Sequence, residues 1–141
     1  MITFELSKLK KTKKETIINI LIVDDSSQVL EEMKDIIKET DHTLFCATNG
    51  AEGLSELAVS QIDVVMSDFN MPKMDGLTMV EFFKKIEKNH VAIIMITARI
   101  SSDLKDKGDE LGITAWMPKP LKKDVILKVL EDLESKKNKS T

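Results

Sequence analysis

Along the chain, short runs of unbroken apolar residues alternate with longer stretches whose apolar positions recur every three or four residues. The runs "INILIV" (18–23), "TLFCAT" (43–48), "IDVVMS" (62–67), "VAIIMI" (91–96) and "ITAWM" (113–117) read as strands. They are continuously apolar rather than alternating, which predicts strands covered on both faces. Between them the helical period appears. From 26 to 39, Val29, Leu30, Met33, Ile36 and Ile37 share a face, and Ser26 can cap the start. Shorter stripes follow: Ala51, Leu54 and Ala58 in 50–59; Leu77, Val80, Phe83 and Ile86 in 77–88; Leu121, Val125, Val129 and Leu133 in 121–133. The stretch "SSDLKDKGDELG" is the weakest, with Leu104 and Leu111 as its large apolar residues. Gly108 costs a helix there about 1 kcal/mol relative to Ala, so a short or mobile helix is expected. Strict alternation of strand and helix predicts an α/β fold, a parallel sheet with helices on both sides. Ligands of such sheets bind beyond the carboxyl ends of the strands, where strand order reverses.

Composition changes this picture little. A chain of 141 residues makes one domain, and 42% apolar with 32% charged residues suits a globular one. A net charge of −3 is too mild to imply a nucleic-acid partner. Cys46 is the single cysteine, so no intramolecular disulfide forms, and a small buried thiol in a reducing cytoplasm fits. No apolar run approaches a membrane span, and the N-terminal lysines follow the apolar residues, the reverse of a secretory signal. A cytoplasmic location is expected. Residues 1–16 and 135–141 read as basic, solvated arms around a domain at 17–134, although Ile2, Phe4, Leu6 and Leu9 leave room for a short packed segment.

The chemistry lies at the predicted strand ends. Asp24 and Asp25 follow the first strand, Asp68, Phe69 and Asn70 the third, Thr97 and Ala98 the fourth, and Lys119 the fifth between Pro118 and Pro120. Two carboxylates roughly 4 Å apart at an effective dielectric near 20 repel by about 4 kcal/mol. They must be neutralised or point into water. Three carboxylates on one rim suit Mg2+, which takes a few carboxylates and keeps several waters. Zinc would want His or Cys, but His42 and His90 read as surface residues flanking strands two and four. A metal-bound carboxylate beside a lysine and a hydroxyl points to phosphoryl transfer. Asp68 would be the nucleophile, with Lys119 and Thr97 meeting the charge on the phosphoryl oxygens. Taken singly, each residue also fits a turn, a cap or a surface position.

In order and spacing, "IVDDS", "SDFNMPKMDG", "ITA" and "MPKP" resemble the receiver domains of two-component response regulators, over roughly residues 17–134. The resemblance implies a doubly wound, flavodoxin-like sheet of five parallel strands in the order 2-1-3-4-5 with five helices. It implies that Asp68 is the phosphoacceptor, Asp25 a direct Mg2+ ligand, Asp24 its water-mediated neighbour, and Asn70 a backbone carbonyl ligand. Thr97 matches the switch hydroxyl, assisted by the Ala98 N–H, and Lys119 the lysine that pairs with the phosphoryl group, with a cis bond to Pro120. Asp75-Gly76 resembles the loop end, where Gly76 would permit a positive φ. Trp116 stands where the family usually has Tyr or Phe as switch aromatic, which puts its coupling to the output face in question. Asn70 and Arg99 occupy the two positions that tune dephosphorylation, implying an intermediate lifetime.

The implied activity is Mg2+-dependent self-phosphorylation from a histidine kinase, a histidine phosphotransfer protein or a small donor, and self-dephosphorylation. Output would be contact with a downstream protein through helix 4, strand 5 and helix 5. No DNA-binding segment follows the last helix, so a stand-alone regulator is expected, with a fragment of a longer one as the alternative. A haloacid-dehalogenase-type phosphatase would want a second Asp where Asn70 stands. A pseudo-receiver that binds but never takes phosphate is the remaining rival.

Overall fold

A computed structural model describes residues 16–71, 74–86 and 90–140. The expected N-terminal arm, apart from Thr16, lies outside the described residues, as do Pro72 and Lys73 of the second motif.

The chain alternates β1 (Asn19–Val23), α1 (Ser27–Ile37), β2 (Thr43–Ala47), α2 (Gly50–Val59), β3 (Val64–Asp68), α3 (Gly76–Ile86), β4 (Ala92–Thr97), α4 (Ser102–Leu111), β5 (Ala115–Pro118) and α5 (Lys123–Ser140). The five strands form one parallel sheet in the order β2-β1-β3-β4-β5, as the resemblance implies. The three central strands are buried almost throughout, and the edge strands β2 and β5 only in part. That is why the buried stretches 20–23, 64–66 and 92–96 carry no polar residue.

Alternate strand residues feed two cores. Ile20, Ile22, Met66 and Ile94 pack beneath α1 and α5, against Leu30, Met33, Ile126 and Leu130. Leu21, Val65, Ile93 and Met95 pack on the other face, against Met79, Val80 and Phe83 of α3. α1 buries the expected stripe and is capped by Ser26, whose hydroxyl accepts from the Val29 N–H at 3.3 Å.

Three helices differ from expectation. In α2, Ala51 and Ala58 face solvent, and the buried positions are Gly50 and Gly53. The helix lies so close that a Cβ on Gly53 would stand 3.0 Å from Met79 Sδ and 3.1 Å from Val23. In α5 the buried residues are Ile126 and Leu130, while Val125 is exposed. This helix also continues to Ser140, through most of the expected tail. Lys137 Nζ reaches the Ile17 carbonyl at 2.8 Å and Asp63 Oδ2 at 2.9 Å, so the last turns are tied to the start of β1. Thr16 donates to the Asn138 side chain at the same place. α4 is a full ten-residue helix: Ser101 caps its start, and Gly112 ends it at φ 77°, donating back to the Asp109 and Gly108 carbonyls.

His42 is a structural residue rather than a surface one. Its Nδ1 accepts from the Ile18 N–H at 3.0 Å and its Nε2 lies 2.9 Å from Glu134 Oε1, joining β1, β2 and α5. His90 is exposed. Cys46 is half-buried, and burial pushes its thiol pKa up, which keeps it protonated and unreactive. Among the described residues no helix is long and apolar enough to cross a membrane.

Candidate functional site

Register brings the polar strand ends together. Val23 pairs with Ser67, Asp68 with Ile96, and Thr97 with Pro118. The residues that end or follow these strands (Asp24, Asp68, Thr97 and Lys119) therefore emerge at nearly one level of the sheet. The backbone continues the ladder past the strands: Asp24 N–H donates to the Ala47 carbonyl at 3.0 Å, and Lys119 N–H to the Thr97 carbonyl at 2.9 Å. The Lys119–Pro120 bond is cis.

One oxygen each from Asp24, Asp25 and Asp68 lies within 4.8 Å of the others. Their surroundings differ sharply. Asp25 is exposed, so its charge stays hydrated. Asp24 is wholly buried; its Oδ1 accepts from the Ser26 N–H at 2.9 Å, while its Oδ2 has no hydrogen-bond partner. The Lys119 ammonium is 3.6 Å from that oxygen, an ion pair too long for a hydrogen bond. Burial pushes the Asp24 carboxyl above the usual range; the Ser26 N–H opposes this, Asp68 adds to it, Lys119 opposes it and Asp25 adds the least. Asp68 is buried, with its Oδ1 3.3 Å from Lys119 Nζ and accepting from the Asn70 N–H at 3.3 Å.

Apart from that Asn70 N–H, the remaining sequence-predicted residues make no hydrogen bond to Asp68. Thr97 is buried and its hydroxyl donates to the Arg99 carbonyl at 3.0 Å, while the Arg99 N–H donates to the Thr97 hydroxyl oxygen at 3.3 Å. Asn70, Ala98 and Arg99 are exposed. Trp116 is half-buried against Phe69, ring centroids 6.1 Å apart and tilted by 54°. Gly76 corrects an expectation, since among the described residues Gly112 alone has a positive φ. A Cβ on Gly76 would meet the Asp68 carbonyl at 2.7 Å, so this glycine allows close approach rather than an unusual turn. Asp75 caps α3, accepting from the Thr78 N–H at 2.8 Å.

The donor set fits a hard divalent cation: three carboxylates, no nitrogen or sulfur, and an orphaned buried oxygen for which an ion would be a partner. A hollow of about 650 Å3 lined by Leu57, Ile62, Asp63, Phe83 and His90 shares no residue with this cluster.

The family model for the response regulator receiver domain matches residues 20–131. The chain belongs to that family. Among solved structures, this receiver superposes on the chemotaxis protein CheY4 of Vibrio cholerae with a TM-score of 0.77 at 28% identity, covering 84% of this chain and 99% of that one. The N-terminal domain of a Wolinella succinogenes protein gives 0.81 at 29%, covering 88% and 99%. Among curated relatives, it is 32% identical over 115 residues to the sensor histidine kinase CheAY of Helicobacter pylori, covering 79% of this chain and 14% of that protein. It is 30% identical over 101 residues to a response regulator receiver protein of Anaeromyxobacter, covering 72% and 42%. The receiver therefore spans less than half the length of either curated relative.

Two residues that the sequence names without a role gain one in the structure: Phe69, which meets Trp116 beside Asp68, and Gly108, on which the same indole rests. A glycine inside an otherwise helical stretch was the available signal for the second.

Proposed function

We propose that this receiver takes a phosphoryl group onto Asp68 from the phosphohistidine of a histidine kinase or histidine phosphotransfer protein, and signals by contact with a downstream protein. The observation that carries the reading is the pairing of a buried Asp68 with Lys119 at 3.3 Å, beside two further carboxylates. An Asp68 carboxylate oxygen attacks phosphorus, the N–P bond breaks, and the departing imidazole keeps the nitrogen electron pair and takes up a proton. The product is an acyl phosphate. Asp24, Asp25, Asp68 and the Asn70 carbonyl would hold Mg2+, which supplies positive charge toward the phosphoryl oxygens.

The chain's own groups do the rest. Lys119, already between Asp24 and Asp68, swings its ammonium to a phosphoryl oxygen. Thr97 exchanges the Arg99 carbonyl for the new acceptor, and the Ala98 N–H supports the same group. That exchange links phosphorylation to the segment leading into α4 and, through Trp116, to the α4–β5–α5 face as the contact surface. Arg99 and Asn70, exposed at the mouth, set how readily water reaches the acyl phosphate.

Intact-mass measurement after incubation with acetyl phosphate and Mg2+ tests the reading. One phosphoryl group should be gained, and none in Asp68→Asn. No gain in the wild type overturns it and leaves a pseudo-receiver, whereas multiple turnover of phosphate esters would indicate a phosphatase.

A further inference from the structure

α4 presents little apolar surface to the sheet. Gly108 is its one buried residue, with Leu104 and Leu111 half-buried. Gly108 rests directly on Trp116. A Cβ there would lie 2.9 Å from Cζ2, 3.0 Å from Nε1 and 3.2 Å from Cε2 of the indole, and a rigid ring has no flexible end to move aside. The same indole packs against Phe69, the residue after Asp68. The Gly108 carbonyl also accepts from the Ile113 N–H at 2.9 Å, anchoring the turn that leads into β5. One ring thus spans from the neighbour of Asp68 to the only buried point of α4.

We infer that Gly108 and Trp116 are a size-matched pair, the missing Cβ being the recess that lets a tryptophan stand where α4 must lie, so that indole orientation and α4 seating form one coupled equilibrium. A glycine in a helix interior is locally unfavourable by about 1 kcal/mol relative to Ala. The position is therefore explained by the contact it allows and not by helix propensity. When the indole turns away, the recess empties and α4 loses its buried seat. A displacement at Asp68 reaches α4 through two ring contacts, Phe69 on Trp116 and Trp116 on Gly108. Only this link to signalling rests on Asp68 as acceptor; the pairing does not.

The test is a cycle of wild type, Gly108→Ala, Trp116→Phe and the double variant, read without phosphoryl donor by hydrogen exchange of the α4 amides. Trp116 is the single Trp in a chain with no Tyr, so its emission reports the indole in the two proteins that keep it. Gly108→Ala should shift that emission and speed α4 exchange by about tenfold, the effect of modest overpacking, although Ala is the better helix former. Trp116→Phe should also speed exchange, and the double variant should recover most of the loss. Unchanged emission with slower exchange in Gly108→Ala, or additive effects in the double variant, overturns the pairing. If Gly108→Ala alone does not fold, recovery of folding in the double variant supports it and failure of both overturns it. Phosphoryl uptake by Gly108→Ala should match wild type. A wild type without uptake fails the acceptor reading while the exchange cycle still decides the pairing.

Discussion

The two ends of the sheet handle buried charge in opposite ways. At the amino ends of the strands the two partly buried titratable groups, Asp63 and His42, are both matched. Asp63 Oδ2 accepts from the Asn19 N–H at 2.7 Å and pairs with Lys137 at 2.9 Å, and His42 bridges the Ile18 N–H and Glu134. At the carboxyl ends the matching is left incomplete. Asp24 Oδ2 is orphaned, Asp68 and Lys119 stand 3.3 Å apart, and Lys119 is shared between two carboxylates. A fold able to satisfy charge at one rim and leaving it unsatisfied at the other marks the second as the place where a ligand completes the structure.

Substitutions at the two rims should therefore separate activity from stability. The largest effect is expected at the carboxyl rim: Asp68→Asn should abolish phosphoryl uptake, and Lys119→Met should slow it about a hundredfold, as for loss of one preorganised charge partner, in a time course of mass gain. At the amino rim, Asp63→Ala should leave uptake intact but cost on the order of 1–3 kcal/mol by orphaning the Asn19 N–H, measured by urea unfolding. Asp24→Asn should move the other way, raising metal-free stability by about 1 kcal/mol or more because a buried carboxylate with one orphaned oxygen is removed. A loss of stability in that variant would break the comparison. Smallest is Lys137→Met, whose partly exposed ion pair should contribute at most about 1 kcal/mol.

pH sharpens the same contrast. Burial raises the native Asp24 pKa, so without metal the native state keeps a proton that the unfolded chain has released. Stability from this group is fully present below the unfolded aspartate value of about 4 and falls as pH rises through the native pKa. Unfolding curves of wild type and Asp24→Asn should diverge across that window, and Mg2+ should close the gap.

Much of this was legible in the sequence because strand burial and strand-end chemistry are local signals. Unbroken runs such as "ILIV" and "AIIMI" announce strands covered on both faces, and four short motifs carry the resemblance. What was not legible depends on which neighbour a residue meets. The stripe through Val125 and the one through Ile126 have the same period, and only the packed sheet chooses between them. Lys137 reads as solvated because lysines usually are, but its long stem carries the ammonium to a carbonyl and a carboxylate. "DD" gives two equivalent acids, and the fold makes them unequal by burying Asp24 and leaving Asp25 in water. In the sequence Gly108 reads as a weakness in α4, since a recess is invisible without the ring that fills it.

The ties between α5 and the first described residues have a practical consequence. Thr16 and Asn138 are bonded neighbours at the rim opposite the carboxylates. A few-residue linker in place of residues 1–15 and 141 would join residue 140 to residue 16, and the chain could be reopened at an exposed loop as a circular permutant. Reporter domains fused beside either of these residues would stand away from Asp68, leaving its mouth clear for a phosphodonor.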